Sequence, residues 1–281
     1  MQNQTSPLIL SFGLSDPVGA TGTQADLATF AALSCHGLSV ATALLIGDTA
    51  RVEEVQTIEP DWVSDQARVL LEDMRIDAIK IGAPGGTEHI TAIAEIVSDY
   101  PGLPLVLDPF ASALPEQGID SEDMLMALRQ LLVPQATVLV LSQVELERLA
   151  ETWRDSNLED TLRADVDFLL ELGCAYVLVT GTPHAAPGQP AQRANTLFGP
   201  DGVIGHQPWQ HLAGSFLGAG GLLSAALTAM LAGPDYPDPA RAVLAAQQYT
   251  AGALAHARRF GMGKLMPDRF FQRRGDALQS R

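Results

Sequence analysis

Lysine is nearly missing from this chain. Lys80 and Lys264 are the only two among 281 residues, and arginine supplies the rest of the 17 basic side chains. Against them stand 33 acidic residues, for a net charge of −16. That balance excludes a nucleic-acid or anionic-membrane surface as the expected partner. It leaves phosphate ligands open, because backbone N–H groups hold phosphate without basic side chains. Cysteine is equally sparse: Cys35 and Cys174 form no CxxC pair. They read as small buried hydrophobes in a reduced, cytoplasmic setting. No uninterrupted apolar run reaches the ~18–20 residues of a membrane span. The opening MQNQTSP carries no basic segment, so no secretory signal is expected. GxxxxGK[ST] is absent, no GxGxxG follows the first apolar run, and no GxSxG precedes a helix. P-loop, dinucleotide and nucleophile-elbow readings therefore fail. The histidines do not cluster at metal spacing.

What is present is core material and a regular alternation. Apolar residues make up 47% of the chain and charged residues 18%, which excludes global disorder. Residues 8–13, 38–46, 52–58, 78–82, 103–110, 136–141 and 176–181 read as strands. Between them, helical spacing predicts helices from Gln24 to His36, from Pro60 through the following DWVSDQARVLLEDM, and over 87–99, 121–132, 144–153 and 158–173. PHAAPGQPAQR (183–193) reads as a surface loop and NTLFGPDGVIG (195–205) as a hairpin turning on Gly-Pro-Asp-Gly. Helices follow over 221–231 and 239–258, and the tail from Gly263 is basic and polar. No repeat or low-complexity linker divides the chain, so one α/β domain over 1–281 is expected. It should have a mostly parallel sheet with helices on both faces. Ligands of such sheets bind beyond the C-terminal strand ends.

Four features at those ends could carry chemistry. Gly218-Ala219-Gly220-Gly221 opens an apolar helix, where positive φ and outward N–H groups make either an anion hole or a tight turn. Asp108 and Glu145 each stand at or just past a strand end, placed either to hold Mg²⁺ beside phosphates or to cap helices. Lys80, inside the apolar AIKIG, could reach a phosphate, pair with Asp108, or be satisfied by a structural carboxylate. Asp16, Gly19 and Gly22 in SDPVGATG form either a ligand-contacting turn or an ordinary βα connection.

Together these residues resemble the hydroxymethylpyrimidine/phosphomethylpyrimidine kinases of the ribokinase-like superfamily. The resemblance rests on SDPVGATGTQADLATFAALSCHG, AIKIG, LVLDP, Ser142-Gln143-Val144-Glu145 and Gly218–Leu227, and it runs over nearly the whole chain. The tail GMGKLMPDRFF is similar to the end of one bacterial branch. It implies a ribokinase-like three-layer α/β/α fold, usually dimeric, here a homodimer. It further implies ATP- and Mg²⁺-dependent phosphorylation of a small pyrimidine alcohol and then of its monophosphate, in thiamine biosynthesis. By position, Asp108 and Glu145 would act on metal and phosphates, and Gly218, Gly220 and Gly221 would form the anion hole; Lys80, in the matching K-I-G strand, is a further catalytic candidate. Asp16, Gly19, Gly22, Gly47 and Ala83 would sit at the pyrimidine pocket.

The chain departs from the family pattern at four of these positions. Where the family carries Cys or Asp as the base, this chain has Gly221. Ser142 replaces the Asn of N-x-x-E, Gly47 a Gln that reads the pyrimidine edge, and Ala83 a Met of the pocket wall. General-base assistance is worth roughly 10²–10⁴-fold, so a weakened kinase is one expectation. Asp48, beside Gly47, or a water could replace the lost edge contact. Two other readings remain open at this stage: an inactive ribokinase-fold protein binding a pyrimidine or nucleotide, and a kinase for a different small alcohol.

Overall fold

A computed structural model describes residues 6–111, 121–150, 161–185, 192–209, 212–235 and 238–273. Its strands are β1 (Leu8–Ser15), β2 (His36–Gly47), β3 (Val52–Thr57), β4 (Ala78–Ile81), β5 (Leu105–Leu107), β6 (Val138–Ser142), β7 (Tyr176–His184), β8 (Gln192–Gly199) and β9 (Gly202–Pro208). The helices are α1 (Gly22–Ala32), α2 (Pro60–Asp73), α3 (Thr87–Ser98), α4 (Glu122–Ala127), α5 (Gln143–Ala150), α6 (Thr161–Glu171), α7 (Ala219–Ala232) and α8 (Pro239–Ala255). All nine strands form one sheet in the order β3-β2-β1-β4-β5-β6-β7-β8-β9. β2, β1, β4, β5, β6 and β7 run parallel, while β3 closes one side antiparallel and β8 and β9 the other.

Alternation along the strands sorts the core into two layers. Leu105, Leu107, Leu139, Leu141, Val177 and Val179 pack with α2 to α6. Val106, Val138, Val140 and Leu178 turn the opposite way, onto α7 and α8. α7 is buried at every position from Leu222 to Ala229, as expected of a helix apolar on all sides. The result is the three-layer α/β/α arrangement expected above. No helix among the described residues is long and apolar enough to cross a membrane.

Strands form at every position read as one, β5 shorter than the 103–110 expected. Three other segments differ. The helix read from Gln24 to His36 ends at Ala32, with His36 already in β2. The segment read as one helix over 121–132 is α4 followed by a π turn (Leu128–Leu132) and a 3-10 turn (Val133–Gln135). Pro134 lies in that last turn, where it cannot supply a helical N–H. The presumed loop 183–193 is strand at both ends, because β7 and β8 pair out to His184 and Gln192. Its middle, 186–191, lies outside the described residues. So do 151–153 of the helix read over 144–153 and 158–160 of the helix read over 158–173.

The sheet order places the candidate residues. After β1 the chain moves to β2 on one side, and it returns to β4 on the other. The strand ends flanking β1 therefore diverge, which is where ligand crevices open in such sheets.

Candidate active site

The loop after β1 is built by a single carboxylate. Asp16 Oδ1 accepts from the amide of Val18 at 2.9 Å. Its Oδ2 accepts from the amides of Ala20 (3.0 Å) and Thr21 (2.9 Å) and from the Thr21 hydroxyl (3.0 Å). Gly19 and Gly22 take positive φ within this loop. A Cβ on Gly22 would stand 2.1 Å from Leu14 O, so no side chain fits there. These residues shape the loop, and the Asp16 carboxylate is committed to it.

Gly218 caps α7 in the left-handed conformation, φ 79°. A Cβ there would lie 1.9 Å from the carbonyl oxygen of Ala20, so this turn and the β1 loop are in direct backbone contact. Arg269, almost fully buried, donates to the same carbonyl at 2.8 Å from the other side. Behind this cap, the amides of Ala219, Gly220 and Gly221 are the first of α7, which leaves them without helical acceptors. Cβ atoms on Gly220 or Gly221 would meet nothing within 4 Å. The first turn of α7 is thus open and lined by N–H groups, which fits a phosphate.

Asp108, just past β5, reaches α7 from the sheet. Its Oδ2 accepts from the Ser224 hydroxyl at 2.6 Å, and that hydroxyl also contacts Gly221 O at 3.1 Å. Burial pushes the Asp108 carboxyl up to about 6, against the pull of Lys80 and the Ser224 hydroxyl, while Glu145 and Asp26 add to the rise. Glu145 and Ser142 form a reciprocal cap at the start of α5. Ser142 N donates to Glu145 Oε2 at 2.7 Å, and Glu145 N donates to Ser142 Oγ at 3.3 Å. The helix-capping reading of Glu145 therefore describes one of its oxygens. Among the described residues, Asp108 Oδ1 and Glu145 Oε1 keep no recorded partner. No group of three or more His, Cys, Asp or Glu among those residues could hold a metal by itself. Two carboxylates with water and phosphate oxygens are nevertheless the usual donor set of Mg²⁺, so the residues fit that ion.

Lys80 does not pair with Asp108. Its ammonium lies 3.0 Å from Asp26 Oδ2, and both side chains are almost fully buried. Ser11 Oγ donates to the same oxygen at 2.7 Å. The structural-carboxylate alternative is the one observed, with the field of Lys80 still felt at Asp108. Asp26 sits on the inward face of α1 with Thr23, Ala25, Thr29 and Phe30, and nothing local in the sequence marks it as the partner of Lys80.

A cavity beside the β1 loop is lined by Asp16, Thr21, Leu45, Gly47, Asp48 and Leu217, together with Ala50, Arg51, Val52 and Lys264; Asp108, Glu145, Lys80 and the glycines of the α7 turn are not in its lining. Gly47 is thus in the cavity lining. A Cβ there would stand 2.8 Å from Arg51 O, so the β2–β3 turn, with its register shift after Ile46, excludes a longer side chain as built. Asp48 Oδ1 accepts from the amides of Ala50 (2.7 Å) and Arg51 (3.0 Å), and these bonds hold its carboxyl below the usual range. Ala83 is not in the cavity lining. It is buried with Leu14, Ala43 and Leu45, and its carbonyl accepts from the Thr42 hydroxyl at 3.0 Å. Lys264, Arg269 and Ser224 were not singled out from the sequence.

With this geometry in view, the chain can be set beside known proteins. A family model described as phosphomethylpyrimidine kinase matches residues 16–268. The hydroxymethylpyrimidine/phosphomethylpyrimidine kinase of Salmonella typhimurium is 32% identical over 91% of this chain and 93% of its own. That of Escherichia coli K12 is 33% identical over 88% and 91%. Among solved structures, a phosphomethylpyrimidine kinase from Clostridium difficile 630 superposes with a TM-score of 0.73 at 25% identity, covering 89% of this chain and all of that one. An ADP complex of Bacillus subtilis pyridoxal kinase gives 0.82 at 22% identity over 96% and 99%.

Proposed function

Because the chain belongs to the phosphomethylpyrimidine kinase family, we propose that it transfers a phosphoryl group from ATP to hydroxymethylpyrimidine and then to the monophosphate so formed. One observation carries this reading: the open first turn of α7, locked by Gly218 against the β1 loop and adjoining the cavity at Leu217.

In this proposal the amides of Ala219, Gly220 and Gly221 hold the transferring phosphoryl group. They are fixed before the reaction begins and need no reorganisation as charge develops. The acceptor occupies the cavity, with Leu45 as apolar floor and Gly47 and the β2–β3 turn at its edge. Asp108 and Glu145 would hold Mg²⁺, which neutralises phosphate charge when bound. Lys80 acts at one remove: its pairing with Asp26 fixes α1 to β4 beneath the phosphate turn. Gly221 offers no proton acceptor. Phosphoryl transfer rests mostly on positioning and electrostatic stabilisation, so the reaction does not depend on a side chain there.

The proposal includes one domain over 1–281, supported by the single sheet that carries all nine strands. It also includes a cytoplasmic homodimer; two free, buried cysteines agree with a reducing compartment. The test is direct. Purified protein with ATP and Mg²⁺ should release ADP on adding hydroxymethylpyrimidine, and again on adding its monophosphate. ADP at the acceptor-free background with both compounds would refute the assignment.

A further inference from the structure

The cavity has an uneven charge inventory. Of its two carboxylates, Asp16 takes four hydrogen bonds from its own loop and Asp48 takes two from its own turn. Arg51 is held by Glu53 at 2.8 Å, outward in solvent. Lys264 is left: among the described residues no carboxylate lies within ion-pair distance of its ammonium.

Its backbone is fixed on both sides. The Lys264 amide donates to Thr49 O at 3.0 Å, and the Gly263 amide donates to Thr49 Oγ1 at 3.0 Å. Cβ atoms on Gly261 and Gly263 would stand 2.4 and 2.2 Å from Thr49 atoms, so the strap lies flush on the β2–β3 turn. Next along, Leu265 N donates to Ser215 O at 2.9 Å and Leu217 N donates to Leu265 O at 2.8 Å. The strap therefore joins the acceptor side of the cavity to the residue before Gly218, and Lys264 is carried between them.

An uncompensated ammonium on a rigid strap favours an anion in the cavity over a neutral molecule. We propose that Lys264 is the specificity-determining residue for the second phosphorylation, binding the phosphate-monoester group of the acceptor and favouring it over the neutral alcohol. This rests on the reading of the site as a pyrimidine kinase.

The experiment compares wild type, Lys264→Gln and Lys264→Arg with the alcohol and with its monophosphate, measuring kcat and KM for each acceptor and KM for ATP. The expected result is a fall of at least tenfold in the monophosphate-to-alcohol ratio of kcat/KM for Lys264→Gln. The change should be carried by KM for the monophosphate and largely restored in Lys264→Arg. An equal loss with both acceptors would overturn the proposal, since Lys264 would then only hold the strap. A rise confined to KM for ATP would overturn it too, by assigning the charge to the donor. Should wild type turn over neither acceptor, the kinase reading fails by itself, and calorimetric titration with the monophosphate decides the role of Lys264. Binding weakened at least tenfold in Lys264→Gln sustains it; equal affinity, or none in wild type, overturns it.

Discussion

Replacing Asp108 by Asn should make the metal-free protein more stable while removing its activity. The carboxyl is held near 6 by burial, from an ordinary value of 3.8. Its folded-state value is raised, so the folded protein binds the proton more tightly than the unfolded chain. Stability from this group is therefore lost as pH rises, beginning near the unfolded value and complete above the folded one. The difference of about two pH units corresponds to roughly 3 kcal/mol of destabilisation at pH 8. Asn keeps the shape and an oxygen to accept from Ser224 but carries no charge, so it mimics the protonated acid. Urea unfolding in the presence of a chelator should show Asp108→Asn more stable at pH 8 by up to about 3 kcal/mol, with the gap narrowing by roughly 1 kcal/mol at pH 5.5. Kinase activity should fall at least a hundredfold in the same variant. A variant less stable than wild type at pH 8, or a gap that does not change with pH, would refute this account of a charge strained by burial.

Lys80→Met should destabilise by about 3–5 kcal/mol, because Asp26 is left charged and buried without its partner. Adding Asp26→Asn should recover part of that loss in the same denaturation assay. Ser142→Ala removes the cap of α5 and should cost about 1 kcal/mol, read from the urea midpoint. Gly221→Cys enters open space, so thermal stability should stay near wild type while phosphorylation rises at least tenfold, short of the roughly 10²–10⁴ of a fully placed general base. Unchanged turnover would show that this site works without a base at 221.

The strands and most helices were legible because their signals are local. β5 and β6 are short apolar runs fit for burial on both faces, β4 is one except for Lys80, and the helices between them repeat near every third or fourth residue. The glycine run before α7 was legible for the same reason, since positive φ and a helix N-terminus are properties of a few neighbouring residues. The break in α4 was not, because Pro134 stands at the end of a pattern whose apolar spacing continues through it. The strand ends at 183–184 and 192–193 were hidden by a loop-like composition that cross-strand pairing overrides.

By itself, then, the amino-acid order determined the layered architecture, the anionic balance of charge and the glycine turn that opens α7. Folding decided which charges meet. Lys80 finds Asp26 across 54 positions, Ser224 finds Asp108 across 116, and the strap beside Lys264 finds Thr49 across 214. Lys80 had Asp108 and other carboxylates as possible partners, and no local pattern ranks them. The choice is made when the packing of α1 on β1 and β4 buries one carboxylate against the ammonium and leaves another facing α7.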